Sequence, residues 1–147
     1  MHDRAQTWRA GIMNETHKDS IIRLILLAMP DVRAIYLFGS WGKPFQREES
    51  DIDVAILPAG PVDNVRRWEL AQEVARSVKR DVDLVNLLGA STVLRCQVLT
   101  HGERIYCRDR VEAESFESRI LSDYVRLNEA RHGILNSIRE MGSVYAR

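Results

Sequence analysis

Hydrophobic positions alternate between helical and strand spacing along the first two thirds of the chain. Apolar residues at helical spacing, stopped by Pro30, predict a helix from residue 14 to 29. A run of β-branched and aromatic residues over 32–38 predicts a buried strand. The same signals predict strands over 51–57, 81–87 and 103–107, the last at an edge, and helices over 63–79 and 91–101. The helix over 63–79 is expected to bury one face, which includes Val65, Trp68 and Val74. This order predicts an α/β (α+β) fold with a short mixed sheet flanked by helices.

The last third of the chain carries a different pattern. Apolar residues recur at spacings of three and four from Asp109 to about Met141, which predicts one long helix or two helices broken near Gly133. A helix of ~30 residues is ~45 Å long, more than a domain of this size can cover. Its apolar stripe therefore either packs back on the sheet or meets another protein chain. We expect a loose extension over 1–13, an α/β domain over 14–107 and a helical extension over 108–147.

Composition excludes several classes of protein. The 147 residues fit one domain, and 45% hydrophobic with 29% charged residues is typical of a globular chain. Lys plus Arg equals Asp plus Glu at 21 each, so direct binding of nucleic acid is not expected. No apolar run approaches the ~20 residues of a membrane span, and no signal peptide is evident. Two cysteines, Cys96 and Cys107, are expected to be reduced, in a cytoplasmic protein.

The candidate chemistry lies between the first two predicted strands. The first strand ends in Gly39-Ser40, and ten residues later Asp51-Ile52-Asp53 opens the next strand. Residues two apart on a strand point to the same face, so Asp51 and Asp53 direct two carboxylates the same way. Such carboxylates repel each other unless a cation lies between them, and hard oxygen ligands suit Mg²⁺. The pattern predicts a metal site beside a buried strand.

The Gly39-Ser40 turn adds a potential phosphate site. Glycine permits a sharp turn and a close approach of the backbone to a ligand, and free N–H groups with the Ser40 hydroxyl form a cradle for phosphate. Lys43 is close enough in sequence to bind a terminal phosphate as a point charge. A phosphate cradle next to paired carboxylates predicts a metal–nucleotide site.

A third carboxylate is expected on the following strand. Asp81 and Asp83 point to the same face of the predicted strand 81–87. We favour Asp83, because it lies deeper in the strand, where an unpaired charge would be costly. Asp81 remains the alternative, although it follows Lys79 and Arg80 and is open to pairing with them.

The pattern Gly39-Ser40, ten residues, Asp51-Ile52-Asp53 resembles the signature of the nucleotidyltransferase superfamily typified by DNA polymerase beta. The short length and the Ser50-Asp51-Ile52-Asp53 form look most like the minimal nucleotidyltransferases (MNT), the antitoxins of HEPN/MNT toxin–antitoxin pairs. The resemblance covers about residues 32–87 by motif, and element order extends it to about 107. Family members commonly carry Arg where this chain has Lys43, which keeps the charge without the bidentate fork.

The resemblance implies a specific reaction. Asp51 and Asp53 would bind two Mg²⁺ ions and the nucleotide triphosphate, while Asp83 would share a metal and help to deprotonate the attacking hydroxyl. Gly39, Ser40 and Lys43 would hold the phosphates. Antitoxins of this kind use ATP to place AMP on a tyrosine of the partner HEPN toxin, a ribonuclease, and release pyrophosphate.

Two other functions stay open at this point. A non-catalytic antitoxin would neutralise its partner by binding alone, although such a protein has no need of mutually repelling carboxylates. A nucleotidyltransferase acting on a small molecule such as an aminoglycoside usually adds a sizeable second domain, and only about 40 residues follow the α/β domain here. Trp41 follows the turn directly, where it would either stack on a base or pack beneath the loop.

Overall fold

The computed structural model describes residues 15–39 and 51–145. The expected N-terminal extension over 1–13 lies outside the described residues. Four helices and four strands follow the predicted order within the described ranges. They are α1 (Glu15–Ala28), β1 (Ala34–Phe38), β2 (Ile52–Leu57), α2 (Asn64–Val78), β3 (Val82–Asn86), α3 (Thr92–His101), β4 (Glu103–Cys107) and α4 (Arg110–Tyr145).

The four strands form one mixed sheet in the order β3-β2-β1-β4. β1 pairs antiparallel with both β2 and β4, whereas β2 and β3 run parallel. A parallel pair needs a crossover connection, and α2 supplies it between β2 and β3. The prediction of a short mixed sheet flanked by helices is confirmed, as is the edge position of β4.

The two faces of the sheet have different partners. On one face, Ile52, Val54 and Ile56 of β2 pack in a core with α1 and α2. On the other face, Ala55 and Leu57 pack in a second core with residues of α3 and α4. Because side chains alternate along a strand, the aspartates at the start of β2 share the second face. The helices α3 and α4 therefore cover one end of this face, and the carboxylates occupy the other.

The helix α4 runs without a break through Gly133. Ala113, Phe116 and Ile120 in its first half are buried, which meets the expectation that the stripe packs on the sheet. In its second half Ile134 is 60% exposed, so the same stripe leaves the domain. None of the helices in ranges 15–39 and 51–145 has an apolar stretch sufficient to cross a lipid bilayer.

A partly buried set of polar contacts links α4 to the sheet. The Tyr36 hydroxyl on β1 donates to Glu117 Oε2 at 2.8 Å, and Arg104 Nη1 of β4 lies 2.8 Å from the same oxygen. Burial and the Glu117 carboxylate together raise the pKa of Tyr36 well above its usual range. Tyr36 therefore stays neutral and keeps its proton for this hydrogen bond.

The helix predicted over 63–79 is confirmed as α2, but part of its predicted buried face is wrong. Val65 and Trp68 were expected on its buried face with Val74, but they are 61% and 63% exposed, while Val74 is fully buried. At 3.6 residues per turn, Trp68 lies about 120° and Val65 about 180° from Val74 around the helix. The apolar positions of α2 are thus too widely spread for one buried face, and Trp68 is left at the surface.

Candidate active site

The end of β1 approaches Asp53 closely. Gly39 follows β1 with φ of 85°, a left-handed backbone conformation that favours glycine. A Cβ placed on Gly39 would collide with Asp53 Oδ2 and lie 2.8 Å from Asp53 Cγ. Only glycine therefore allows the turn after β1 to pass directly over the Asp53 carboxylate.

Sheet pairing brings the carboxylates of β2 and β3 together. Asp53 pairs with Asp83 in the parallel register, and adjacent strands lie about 4.8 Å apart. Asp51 lies immediately before β2, and the backbone N–H of Ile52 donates to the carbonyl oxygen of Asp81 at 2.8 Å. Four aspartates thus lie at one edge of the sheet face that α3 and α4 leave open.

Burial and repulsion both disfavour the ionised form of Asp53. Burial first, and then the negative charges of Asp83 and Asp51, together raise the pKa of Asp53 from 3.8 to about 6. Asp53 is half-buried, whereas Asp51 and Asp83 are exposed. The ionised form of Asp53 is therefore only partly hydrated and is repelled by its described acidic neighbours, and a bound cation would offset both costs.

The structure brings together several of the residues singled out from the sequence. Asp51, Asp53, Asp83 and Gly39 lie together, while Ser40, Trp41 and Lys43 lie outside the described residues. Asp83 acts on the pKa of Asp53 and Asp81 does not contribute, which favours Asp83 as the third carboxylate. The argument from burial was wrong, because Asp83 is exposed and Asp53 is the half-buried member.

The donor set fits Mg²⁺ bound together with a phosphate group. Within residues 15–39 and 51–145, no three His, Cys, Asp or Glu side chains stand in an arrangement that holds a metal by themselves. Magnesium in phosphoryl-transfer sites takes one or two carboxylates and completes its shell with substrate phosphates and water. Carboxylates that repel one another beside a glycine turn match that requirement, and they do not form a closed structural metal site.

A cleft that the sequence did not predict opens beside the carboxylates. It has a volume of about 290 Å³ and lies between α2 and the free edge of β3. Its described lining includes Asp51, Asp81 and Asp83 on one side and Arg67, Trp68 and Gln72 of α2 on the other. The α2 side of the cleft was not predicted, because the sequence pattern assigned Trp68 to the core. The signal that could have revealed it is that α2 has more apolar positions than one buried face can hold.

The open carboxylate edge and the glycine turn define a nucleotidyltransferase, and comparison with known proteins agrees. The family model described as Polymerase beta, Nucleotidyltransferase matches residues 21–111. The chain belongs to this family. The match extends from α1 to the start of α4 and so includes Gly39 and the carboxylates.

Individual relatives are more specific. The chain is 40% identical over 126 residues to Protein adenylyltransferase MntA of Shewanella oneidensis, covering 86% of this chain and 90% of that protein. A crystal structure of a toxin–antitoxin with AMP-PNP matches with a TM-score of 0.73 and 40% identity, covering 82% of this chain and 97% of that one. A structure of tri-AMPylated Shewanella oneidensis HEPN toxin in complex with MNT antitoxin matches with a TM-score of 0.71 and 39% identity, covering 84% of this chain and 97% of that one. These relatives confirm the resemblance to the minimal nucleotidyltransferases.

Proposed function

We propose that this protein is an antitoxin that works as an ATP- and Mg²⁺-dependent protein adenylyltransferase. Its substrate is a hydroxyl group, most simply that of a tyrosine, on a partner HEPN ribonuclease toxin. The observation that carries the proposal is the group of three carboxylates, Asp51, Asp53 and Asp83, in which burial and then repulsion by its neighbours raise the pKa of Asp53. The adenylyltransferase MntA, 40% identical, supports the choice of reaction. The substrate ATP and the two free cysteines fit action in the cytoplasm.

The residues have separate roles in this proposal. Asp51, Asp53 and Asp83 would hold Mg²⁺, which when bound neutralises charge on the attacking and leaving oxygens. The turn at Gly39, with Ser40 and Lys43, binds the triphosphate. The acceptor oxygen bonds to the α-phosphorus of ATP, the bond to pyrophosphate breaks, and Asp83 takes the hydroxyl proton. Catalysis by these groups consists mainly of positioning and charge neutralisation.

The free energy needed to hold these carboxylates close together argues against a protein that neutralises its partner by binding alone. Asp53 is held half-buried with its pKa raised to about 6, so at neutral pH the fold maintains an unfavourable charge. Unfavourable electrostatics of this kind cluster at functional sites. A surface that only blocks a partner gains nothing from such an arrangement.

The test is transfer of label from α-labelled ATP to the toxin encoded beside this protein, with Mg²⁺ present. Wild type is compared with Asp51→Asn/Asp53→Asn and with Asp19→Asn, which changes an exposed aspartate on α1. We expect label on the toxin with wild type and with Asp19→Asn, and a loss of at least about 100-fold with the double variant. Transfer by the double variant would reject the site. A stable complex without label, in which the toxin is neutralised, would identify a binding antitoxin.

A further inference from the structure

We propose that the second half of α4 is the docking surface for the partner toxin, and that its exposed apolar stripe holds the toxin next to the carboxylates. This inference rests on the proposed function, which supplies the partner, and extends it to the way in which that partner is held. The stripe consists of Ile134, Ile138 and Met141, which are 60%, 59% and 57% exposed. We call these three residues the free stripe.

The free stripe continues the buried face of the same helix. At about 100° per residue, Ile138 lies about 40° and Met141 about 20° from Ile134 around α4. Phe116 and Ile120, which are buried in the core beneath the helix, lie within about 40° of the same direction. One apolar face therefore runs from the first half of α4 into the second, where it is exposed. A contiguous exposed apolar surface is typical of a site of protein–protein contact.

Contacts along α4 establish that it runs towards the carboxylates. Near the start of the helix, Glu112 Oε1 lies 3.2 Å from Nε of Arg33, the residue just before β1. Further along the helix, Glu117 Oε2 accepts a hydrogen bond at 2.8 Å from Tyr36, in the middle of β1. The helix therefore follows the direction of β1, and the last residue of β1 pairs with Asp53.

The free stripe lies beyond the end of the sheet at which the carboxylates are found. Four helical residues after Glu117 rise ~6 Å, about the same as the two residues of β1 that follow Tyr36. The helix thus passes the end of β1 about one turn after Glu117, and Ile120 is the last buried residue among the described side chains of α4. The next ~20 residues, up to Met141, extend ~30 Å beyond this end of the domain.

The position of the free stripe favours the toxin over a second copy of this chain. One third of the surface of a helix ~30 Å long and ~11 Å wide is roughly 350 Å², whereas a stable interface buries ~800 Å² of each partner. An occupant of the stripe must therefore also contact neighbouring surface, which at this end of the domain includes the carboxylates. Only the toxin has to reach Asp51, Asp53 and Asp83, because its hydroxyl group receives AMP.

The charges around the free stripe favour an apolar contact surface on the toxin. Three arginines balance three acidic side chains between residues 121 and 141: Arg126, Arg131, Arg139, Asp123, Glu129 and Glu140. Apolar residues at the spacing i, i+4 and i+7, which the free stripe has, are the anchors by which a helix binds in an apolar groove. We therefore expect a groove of this kind on the toxin and an affinity that changes little with salt concentration.

The experiment measures the Kd of the intact partner toxin for the full-length protein by isothermal titration calorimetry without ATP. The variant is Ile134→Ala/Ile138→Ala. Val125→Ala is the matched control, because Val125 is 53% exposed on the same helix and lies about 180° from Ile134 around it. We expect Kd to rise at least about tenfold in the double variant, because two apolar anchors are no longer removed from water on binding. Kd for Val125→Ala should stay within about twofold of wild type.

A second measurement separates docking from chemistry. Label transfer from α-labelled ATP is followed at saturating toxin with Mg²⁺ present. We expect the double variant to transfer label at a rate within about twofold of wild type, because the free stripe lies outside the carboxylate site. Met141→Ala replaces the double variant if that variant does not fold, with an expected rise in Kd of at least about threefold.

Each other outcome has a distinct meaning. An unchanged Kd in the double variant, or an equal rise in Val125→Ala, overturns the inference. If Kd is unchanged and the double variant sediments as a monomer where wild type sediments as a dimer, a second copy covers the stripe instead. A wild-type protein that binds the toxin without transferring label rejects the proposed function, and the Kd values still decide whether the toxin docks on the stripe.

Discussion

Replacing Asp53 by asparagine should make the protein more stable and inactive at once. Asparagine has nearly the same shape as aspartate and so fits under Gly39, but it carries no charge. The folded protein then loses the repulsion from Asp83 and Asp51 and the cost of holding a half-buried carboxylate. We therefore expect Asp53→Asn to resist urea better than wild type at pH 8.

The magnitude follows from the pKa of Asp53. It rises from 3.8 to about 6, and a difference of one pKa unit corresponds to ~1.4 kcal/mol, so the charge costs at most ~3 kcal/mol. Water still reaches this half-buried carboxylate, and screening reduces the expected gain in the free energy of unfolding to ~1–2 kcal/mol.

The gain in stability of Asp53→Asn over wild type should increase as pH rises. The pKa in the folded state exceeds that in the unfolded state, so between pH 4 and 6 the folded protein binds more protons. The stability of wild type therefore falls as pH rises through this window, and Asp53→Asn should escape that fall. The advantage of the variant is complete above about pH 6 and disappears near pH 4.

The assay is urea denaturation of wild type, Asp53→Asn and the exposed control Asp19→Asn at pH 8, 6 and 4, without divalent cations. We expect Asp19→Asn to follow wild type at every pH. Saturating Mg²⁺ should narrow the difference between wild type and Asp53→Asn, because only wild type retains the full carboxylate set. A variant as stable as wild type at pH 8, or an effect independent of pH, would refute the electrostatic reasoning.

Two further predictions concern the turn and the long helix. Gly39→Ala should lower the free energy of unfolding by ~1–3 kcal/mol in urea denaturation, because alanine is strained at φ of 85°. The new Cβ also displaces the Asp53 carboxylate, so label transfer should fall about 100-fold. Wild-type transfer by Gly39→Ala would contradict the close approach. Ile120→Ala should cost ~2–5 kcal/mol, because this side chain is buried. Ile134→Ala, on the exposed half of the same helix, should change the free energy of unfolding by less than ~0.5 kcal/mol. If Ile120→Ala and Ile134→Ala lowered it equally, the second half of the helix would be packed as the first is.

Local pattern was sufficient to predict the elements but not their exposure. Each strand was expected within two residues of its observed ends, because β-branched runs bounded by Gly, Pro and Asp specify strands locally. Exposure depends on which other element covers a position, and no local pattern contains that information. Asp83 was therefore expected in the interior and is exposed, and Trp68 was expected in the core and lines a cleft.

The site was predictable in part for a similar reason. The spacing of Asp51 and Asp53 places both on one face from strand geometry alone. Their relation to Asp83 required the parallel register of β2 and β3, which long-range pairing decides. The close approach of Gly39 to Asp53 likewise follows from the antiparallel pairing of β1 and β2 and has no counterpart in the sequence pattern.

The structure decides whether the long helix is broken and how much of its stripe packs on the domain. Sequence left open whether Gly133 breaks it and whether its stripe packs on the domain or meets another chain. The helix is continuous, and its stripe packs through Ile120 and then leaves the domain. A 3.6-residue repeat predicts the helix, but the size of the sheet decides how much of it is covered.

Adenylyl transfer by these carboxylates is best tested by the intact mass of the partner toxin after co-expression with this protein. We expect a toxin heavier by whole AMP units with wild type and a toxin of unmodified mass with Asp53→Asn. If the toxin were neutralised by the wild-type protein and yet kept its unmodified mass, adenylyl transfer by these carboxylates would be contradicted.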